Sequence, residues 1–224
     1  AVVVRIDSPG GGVAASQEIY DAIVALRKKK KVVVSMGSVA ASGGLLIACA
    51  GDKIVANPGT ITGSISAIMQ FANIEELLSK IGVKSTVVKS GPYKDIGSPM
   101  REMTQEERAI IQELIDDIYN QFVEVIVRER KLTRKQVETI ADGRVFSGRK
   151  AKDLGLVDEL GDMAAAARLA SSLAGKGENF DLVYPQKKRS SFLSYILEQA
   201  ATQISRSLAA QFQKSTKASY LYEP

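Results

Sequence analysis

The feature that most constrains this chain is its opening pair of β-branched runs, Val2-Val3-Val4-Arg5-Ile6 and Val32-Val33-Val34, with one helical stretch between them. A strand made of nearly continuous apolar residues has no polar face to give to water, so it sits in a parallel sheet covered by helices on both sides. The intervening segment carries Ile19, Ile23 and Leu26 at helical spacing and ends in the basic run Arg27 to Lys31. That is the pattern of a helix packed on one face and stopped by its own charge. After the second run the chain predicts a small-residue turn over Gly37-Ser38-Val39-Ala40-Ala41, then a helix of about two turns from Ser42 to Gly51. A further strand, Lys53 to Ala56, is closed by Asn57-Pro58-Gly59. Strand and helix alternating through short connections require right-handed crossovers, so the expected fold class is α/β with a mostly parallel sheet. In such sheets ligands bind at the carboxyl ends of the strands, and both glycine-rich turns fall there.

The remainder adds helices. Thr104-Gln105-Glu106-Glu107 is a capping box, and Ile110, Ile111, Leu114, Ile115, Ile118, Phe122 and Val125 follow at helical spacing. Shorter helices are expected from about Thr133 and through Ala151 and Leu154. Beyond Lys187, residues Phe192, Ile196, Ala200, Ile204, Leu208 and Phe212 repeat every four, which predicts an amphipathic helix in need of a partner surface. The expected organisation is a core domain over residues 1–186 followed by this helix and tail over residues 187–224. The 187–224 stretch holds six of the cations against two carboxylates, so it carries most of the net charge of +5 and leaves the body nearly neutral. A global nucleic-acid footprint is therefore absent. No run of 18 apolar residues occurs, and the chain opens without a methionine on what reads as a central strand, so an upstream anchor or signal is expected outside it.

Composition then narrows the chemistry. The chain contains no histidine, which removes the Ser-His-Asp triad, the Cys-His pair and His-ligated zinc together. The single cysteine, Cys49, lies in an apolar run and reads as a small buried hydrophobe. Ser42, in Ala40-Ala41-Ser42-Gly43-Gly44, stands at a strand-to-helix junction where small neighbours admit a substrate carbonyl and the Gly43 N–H can face a developing oxyanion. The plainer alternative is a serine capping the helix. Gly10-Gly11-Gly12, after the first strand, is a second turn of exposed N–H groups without the spacing of a phosphate-binding loop. If Ser42 is a nucleophile the plausible base is a lysine, which must be neutral to work. Lowering a lysine from roughly 10.4 to about 7.5 requires roughly 4 kcal/mol of destabilisation of the charged form. Lys53, Lys80, Lys84, Lys89 and Lys94 are candidates, and their spacing does not choose among them.

Four segments carry a family resemblance: Asp7-Ser8-Pro9-Gly10-Gly11-Gly12, Met36 to Gly44, Thr62-Gly63-Ser64-Ile65, and Lys89-Ser90-Gly91-Pro92-Tyr93-Lys94-Asp95-Ile96-Gly97-Ser98-Pro99. In order and spacing they resemble the signal peptide peptidase A family, and Gly143-Arg144-Val145-Phe146 through Gly155-Leu156-Val157-Asp158 is similar to the same family's later core. The resemblance implies a caseinolytic protease/crotonase-like fold built of repeated β-β-α or β-α units. It implies Ser42 as nucleophile, Lys94 as general base, Ser64 as the hydroxyl that orients the lysine, and Gly11 and Gly43 as oxyanion donors. No metal or cofactor is implied. The implied substrates are signal-peptide remnants, cleaved at a bacterial or archaeal cell membrane, on its extracytoplasmic side, by a ring-like homo-oligomer. A capsid-processing protease of the same clan, a crotonase-like acyl-CoA enzyme and a scaffold with a vestigial dyad are the alternatives. The crotonase-like enzyme would not need Ser42.

Overall fold

The computed structural model describes residues 1–177 and 180–184. The chain divides into two compact units, Ala1–Phe180 and Asp181–Pro224, and the amphipathic helix expected beyond Lys187 lies outside the described residues. Within the first unit the elements run β1 (Val2–Ser8), α1 (Val13–Arg27), β2 (Val32–Ala41), α2 (Gly43–Ala48), β3 (Lys53–Ala56), β4 (Ile61–Gly63), α3 (Glu75–Lys80), α4 (Gln105–Arg130), α5 (Arg134–Glu138), β5 (Val145–Ser147), α6 (Gly148–Asp153), β6 (Glu159–Leu160) and α7 (Met163–Leu173).

The expected α/β class is what the chain adopts: one sheet, parallel throughout except where β5 runs antiparallel to β4. The central strand is β2. One of its edges is taken by β1, paired from Val2↔Val32 to Ser8↔Ala40. The other is shared, with β3 against Val33 to Met36 and β4 against Val39 to Ala41. Being flanked on both edges and covered on both faces explains why Val32, Val33, Val34 and Met36 are fully buried. Their alternation divides the core. Val32, Val34 and Met36 join Ile6, Leu45, Ile54, Val123 and Ile126 on one side of the sheet, whereas Val33 and Val55 meet Ala166 and Ala170 of α7 on the other.

Three sequence expectations change in the structure. Gly37 to Ala41 is not a turn but the second half of β2. The pairing with β1 steps from Ile6↔Met36 to Ser8↔Ala40, so β2 bulges there by two residues. The Asp7 carboxylate fills the bulge, accepting a hydrogen bond from the Val39 N–H at 3.0 Å. A Cβ on Gly37 would stand 2.5 Å from Asp7 Cγ, which is why a glycine is needed there. On α1, Ile19 is 48% exposed and the helix instead buries Ser16, Tyr20 and Ile23. On α4 the capping box forms as expected, yet full burial in the core begins only at Phe122, with Val123, Val125 and Ile126, while Ile110 and Leu114 stay exposed.

That open half of α4 accompanies a larger feature. From Ser66 to Met103 no residue is buried, and Ile68, Ile81 and Val88 are among its exposed apolar side chains. The segment between β4 and α4 is an arm with no core of its own.

Candidate active site

The structure of the β2–α2 junction follows from sheet register. Ala41 pairs with Gly63, and the next residues, Ser42 and Ser64, leave their strands side by side with the same backbone dihedral, φ 52°. Positive φ is uncommon for residues with a side chain and carries strain, so both conformations are held by their surroundings. The Ser42 N–H donates to the Gly63 carbonyl at 2.8 Å, and the Ser64 N–H donates to the Arg144 carbonyl at 2.8 Å. Gly63 itself has φ 87°, and a Cβ there would lie 2.6 Å from Phe146 Cδ2 and 2.9 Å from the Arg144 oxygen. The antiparallel strand β5 therefore closes on β4 only because position 63 is glycine.

Ser42 is the N-cap of α2 by position but not by chemistry. Thr104, Thr133, Ser147 and Asp162 each accept a hydrogen bond from the first turn of their helices, whereas Ser42, with ψ −122°, makes no side-chain cap bond. Its half-buried hydroxyl takes part in no hydrogen bond among the described residues, so it is free for another partner. The simple capping role is thereby set aside.

The first glycine turn packs directly on this serine. Gly10 has φ 107°, and a Cβ on it would come within 2.9 Å of both Ser42 Cβ and the Gly43 nitrogen. From the other side, a Cβ on Gly43 would lie 3.4 Å from the Gly11 nitrogen and 2.4 Å from Ser16 Oγ. The N–H groups of Gly11 and Gly43 thus sit close together beside the Ser42 side chain. Gly43 opens the first turn of α2, where N–H groups have no partner within the helix. The Ser16 hydroxyl below donates to the Gly12 carbonyl at 3.0 Å and so fixes the turn to α1.

A cavity of about 160 Å³ opens next to Ser42. Gly11 and Gly43 line its polar end, and Leu46, Ile68, Met69 and Ile118 are among its apolar walls. These wall residues escape a sequence reading because they come from α2, the arm and α4. The one available signal is the apolar face of α4 that continues well beyond what the core uses.

The lysines separate once their partners are known. Lys53 Nζ pairs with Asp158 at 3.1 Å, Lys80 Nζ with Glu76 at 3.9 Å, and Lys89 Nζ with Asp95. An ammonium held by a carboxylate is a poor proton acceptor. Of the five candidates, only Lys84 and Lys94 have no side-chain hydrogen bond or ion pair among the described residues. Lys94 is exposed on the arm and does not line the cavity at Ser42. The Ala41↔Gly63 register and the glycine turn bring Ser42, Ser64, Gly11 and Gly43 together, and Lys94 stands on the arm. Groups of histidine, cysteine or carboxylate able to hold a metal are absent among the described residues. Cys49 is buried, with its thiol pushed up to about 12 by desolvation, consistent with a packing role.

Residues 24–176 match the model of peptidase family S49. A Synechocystis sp. protein named as a protease is 53% identical over 175 residues, 78% of this chain and 63% of that one. A protein from Enterococcus faecium named as signal peptide peptidase SppA is 38% identical over 161 residues, 71% of this chain and 47% of that one. Both relatives are therefore longer than the chain and are matched over less than two thirds of their length. Among solved structures, a ClpP1 mutant from Listeria monocytogenes superposes with a TM-score of 0.48 at 21% identity, over 72% of this chain and 73% of that one. Sheet topology and family match together define the class, a peptidase-related chain on a parallel α/β sheet. The chain belongs to peptidase family S49.

Proposed function

We propose that the protein is a serine endopeptidase in which Ser42 attacks the peptide carbonyl and Lys94 is the general base. The observation that carries this is Ser42 itself: a serine held at φ 52°, its hydroxyl uncommitted, between two glycine N–H groups and an apolar cavity. In the forward step neutral Lys94 takes the Ser42 proton as the oxygen bonds to the carbonyl carbon. The Gly11 and Gly43 N–H groups then hold the oxyanion. The ammonium returns the proton to the leaving amine, and the same lysine activates the water that releases the acyl group. Ser64, emerging beside Ser42, hydrogen-bonds the lysine amine and directs its lone pair. No metal or cofactor enters the cycle.

Because Lys94 stands on an arm without buried residues and outside the Ser42 cavity, it serves the Ser42 of a neighbouring copy in a homo-oligomer. Burial of the arm in that contact would supply the desolvation a neutral lysine needs. The substrates are unfolded peptides, with signal-peptide remnants at a bacterial or archaeal cell membrane as the leading class, a reading supported by the name of the Enterococcus relative. No helix among the described residues is long and apolar enough to cross a membrane.

The test is labelling with a fluorophosphonate probe combined with peptide hydrolysis. Wild-type protein is labelled at Ser42, and Ser42→Ala and Lys94→Ala each lose at least about 10³-fold in kcat while keeping the fold. Substantial hydrolysis by either purified variant excludes the dyad, and turnover by Ser42→Ala points to a crotonase-like reaction instead.

A further inference from the structure

The residue after Lys94 is held from both sides. Asp95 accepts from Lys89 Nζ through one carboxylate oxygen, and from Arg101 Nε at 2.9 Å through the other. Lys89 also donates to the Pro92 carbonyl at 2.6 Å, so it closes the turn on which Lys94 stands. Arg101 does not stop at Asp95. Its Nη1 donates to Glu107 Oε2 at 2.8 Å and its Nη2 to Glu107 Oε1, a two-pronged contact that a lysine at this position could not make.

Glu107 is an unusual anchor. It is only 3% exposed although it is a carboxylate, and it also completes the capping box, accepting from the Thr104 N–H at 2.9 Å. The Arg101 guanidinium, with the Thr104 N–H second, brings the Glu107 carboxyl down to about 2, so it remains charged across the physiological range. The same guanidinium, followed by Lys89, holds Asp95 below the usual carboxylate range. The C-terminal half of α4 then packs into the core through Phe122, Val123 and Ile126. An unbroken line of charge-assisted hydrogen bonds leads from the Lys94 turn to the start of α4.

The rest of the arm has little to replace this line. The Ile74 N–H donates to the Pro99 carbonyl at 2.8 Å, and Phe71 lies against Gly97 so closely that a Cβ there would be 2.4 Å from its ring. Those contacts tie the arm to itself. Among the described residues, the side-chain hydrogen bonds that join the Lys94 turn to α4 are the Asp95–Arg101–Glu107 line and the one from the Tyr93 hydroxyl to Glu106.

We infer that Asp95, Arg101 and Glu107 are positioning residues for Lys94: they fix the turn so that the lysine amine is presented to the Ser42 it serves. This rests on Lys94 being the base. A lysine on an untethered arm would visit the productive geometry only part of the time, and displacement of a catalytic group by about 1 Å costs on the order of 100-fold in rate.

The experiment compares Asp95→Asn, Arg101→Gln, their double variant and Lys94→Ala, each assayed with a fluorogenic peptide over a range of concentrations and by thermal unfolding. Asp95→Asn is nearly isosteric and lies away from the capping box, so it stays folded even if Arg101→Gln does not. The expected result is a fall in kcat of about 10- to 100-fold in Asp95→Asn and Arg101→Gln, with KM within about twofold of wild type. The double variant falls no further than the worse single one, because both act through one link. Wild-type kcat in a folded Asp95→Asn, a rise in KM at unchanged kcat, or multiplicative losses would each overturn the inference while leaving the dyad intact. Full activity in Lys94→Ala would instead remove the dyad and this inference with it.

Discussion

Gly10→Ala and Gly11→Ala are the same change at adjacent positions, and the geometry demands opposite outcomes. At Gly10 the backbone has φ 107°, where a side chain is strained, and the added methyl would meet Ser42 Cβ and the Gly43 nitrogen at 2.9 Å. Ordinary contact begins near 3.4 Å, so the turn and the serine must separate by roughly half an ångström. The strained backbone costs about 1–3 kcal/mol, and overpacking adds about 1–3 kcal/mol. At Gly11 nothing lies within 4 Å of the new Cβ and φ is not in the left-handed region, so stability there is unchanged or rises by about 0.4–1 kcal/mol. Urea unfolding midpoints of the two variants at neutral pH measure both effects. Fluorophosphonate labelling of Ser42 in Gly10→Ala, slowed about tenfold or more, reports the displaced nucleophile. Equal midpoints for the two variants, or wild-type labelling in Gly10→Ala, would refute the packing of this turn on Ser42.

Co-refolding equal amounts of Ser42→Ala and Lys94→Ala restores about a quarter of wild-type activity if the dyad is shared in a cyclic assembly, since each site draws its two residues independently. A mixture as inactive as its components, yet assembled, shows that both residues come from one chain. Hydrolysis rises with pH and then levels, because only a neutral amine accepts a proton; a flat profile from mildly acidic to alkaline pH excludes the lysine base. Glu107 has its folded pKa lowered from 4.5 to about 2, so the stability it gives is complete above 4.5 and disappears as pH falls toward 2. Unfolding midpoints of wild type and Glu107→Gln accordingly differ at neutral pH and converge on acidification, and a difference that persists at pH 2 contradicts the ion pair.

Much of this protein is written locally. Consecutive β-branched residues fixed the parallel α/β class, because burial on both faces leaves no other use for Val32 to Val34. The capping box at Thr104 gave the start of α4, because an N-cap is an arrangement among four neighbouring residues. The absence of histidine by itself limits any base to a different side chain. Ser42 was visible as a small-residue junction, although not its φ of 52° or its uncommitted hydroxyl. Tertiary structure decided whatever depends on partners distant in sequence. The bulge of β2 needs Asp7, so Gly37 to Ala41 read by itself looked like a turn. The place of Ser64 beside Ser42 is a consequence of the Ala41↔Gly63 register, which no spacing rule contains. Lysines equivalent by composition became distinct once Asp158, Glu76 and Asp95 had taken three of them. The apolar face of α4 promised a core along its whole length, but only its C-terminal half is covered, and Ile110 and Leu114 remain open with the arm that bears Lys94. Periodicity encodes which face of an element is apolar; what covers that face is set by chain segments folding back from far away.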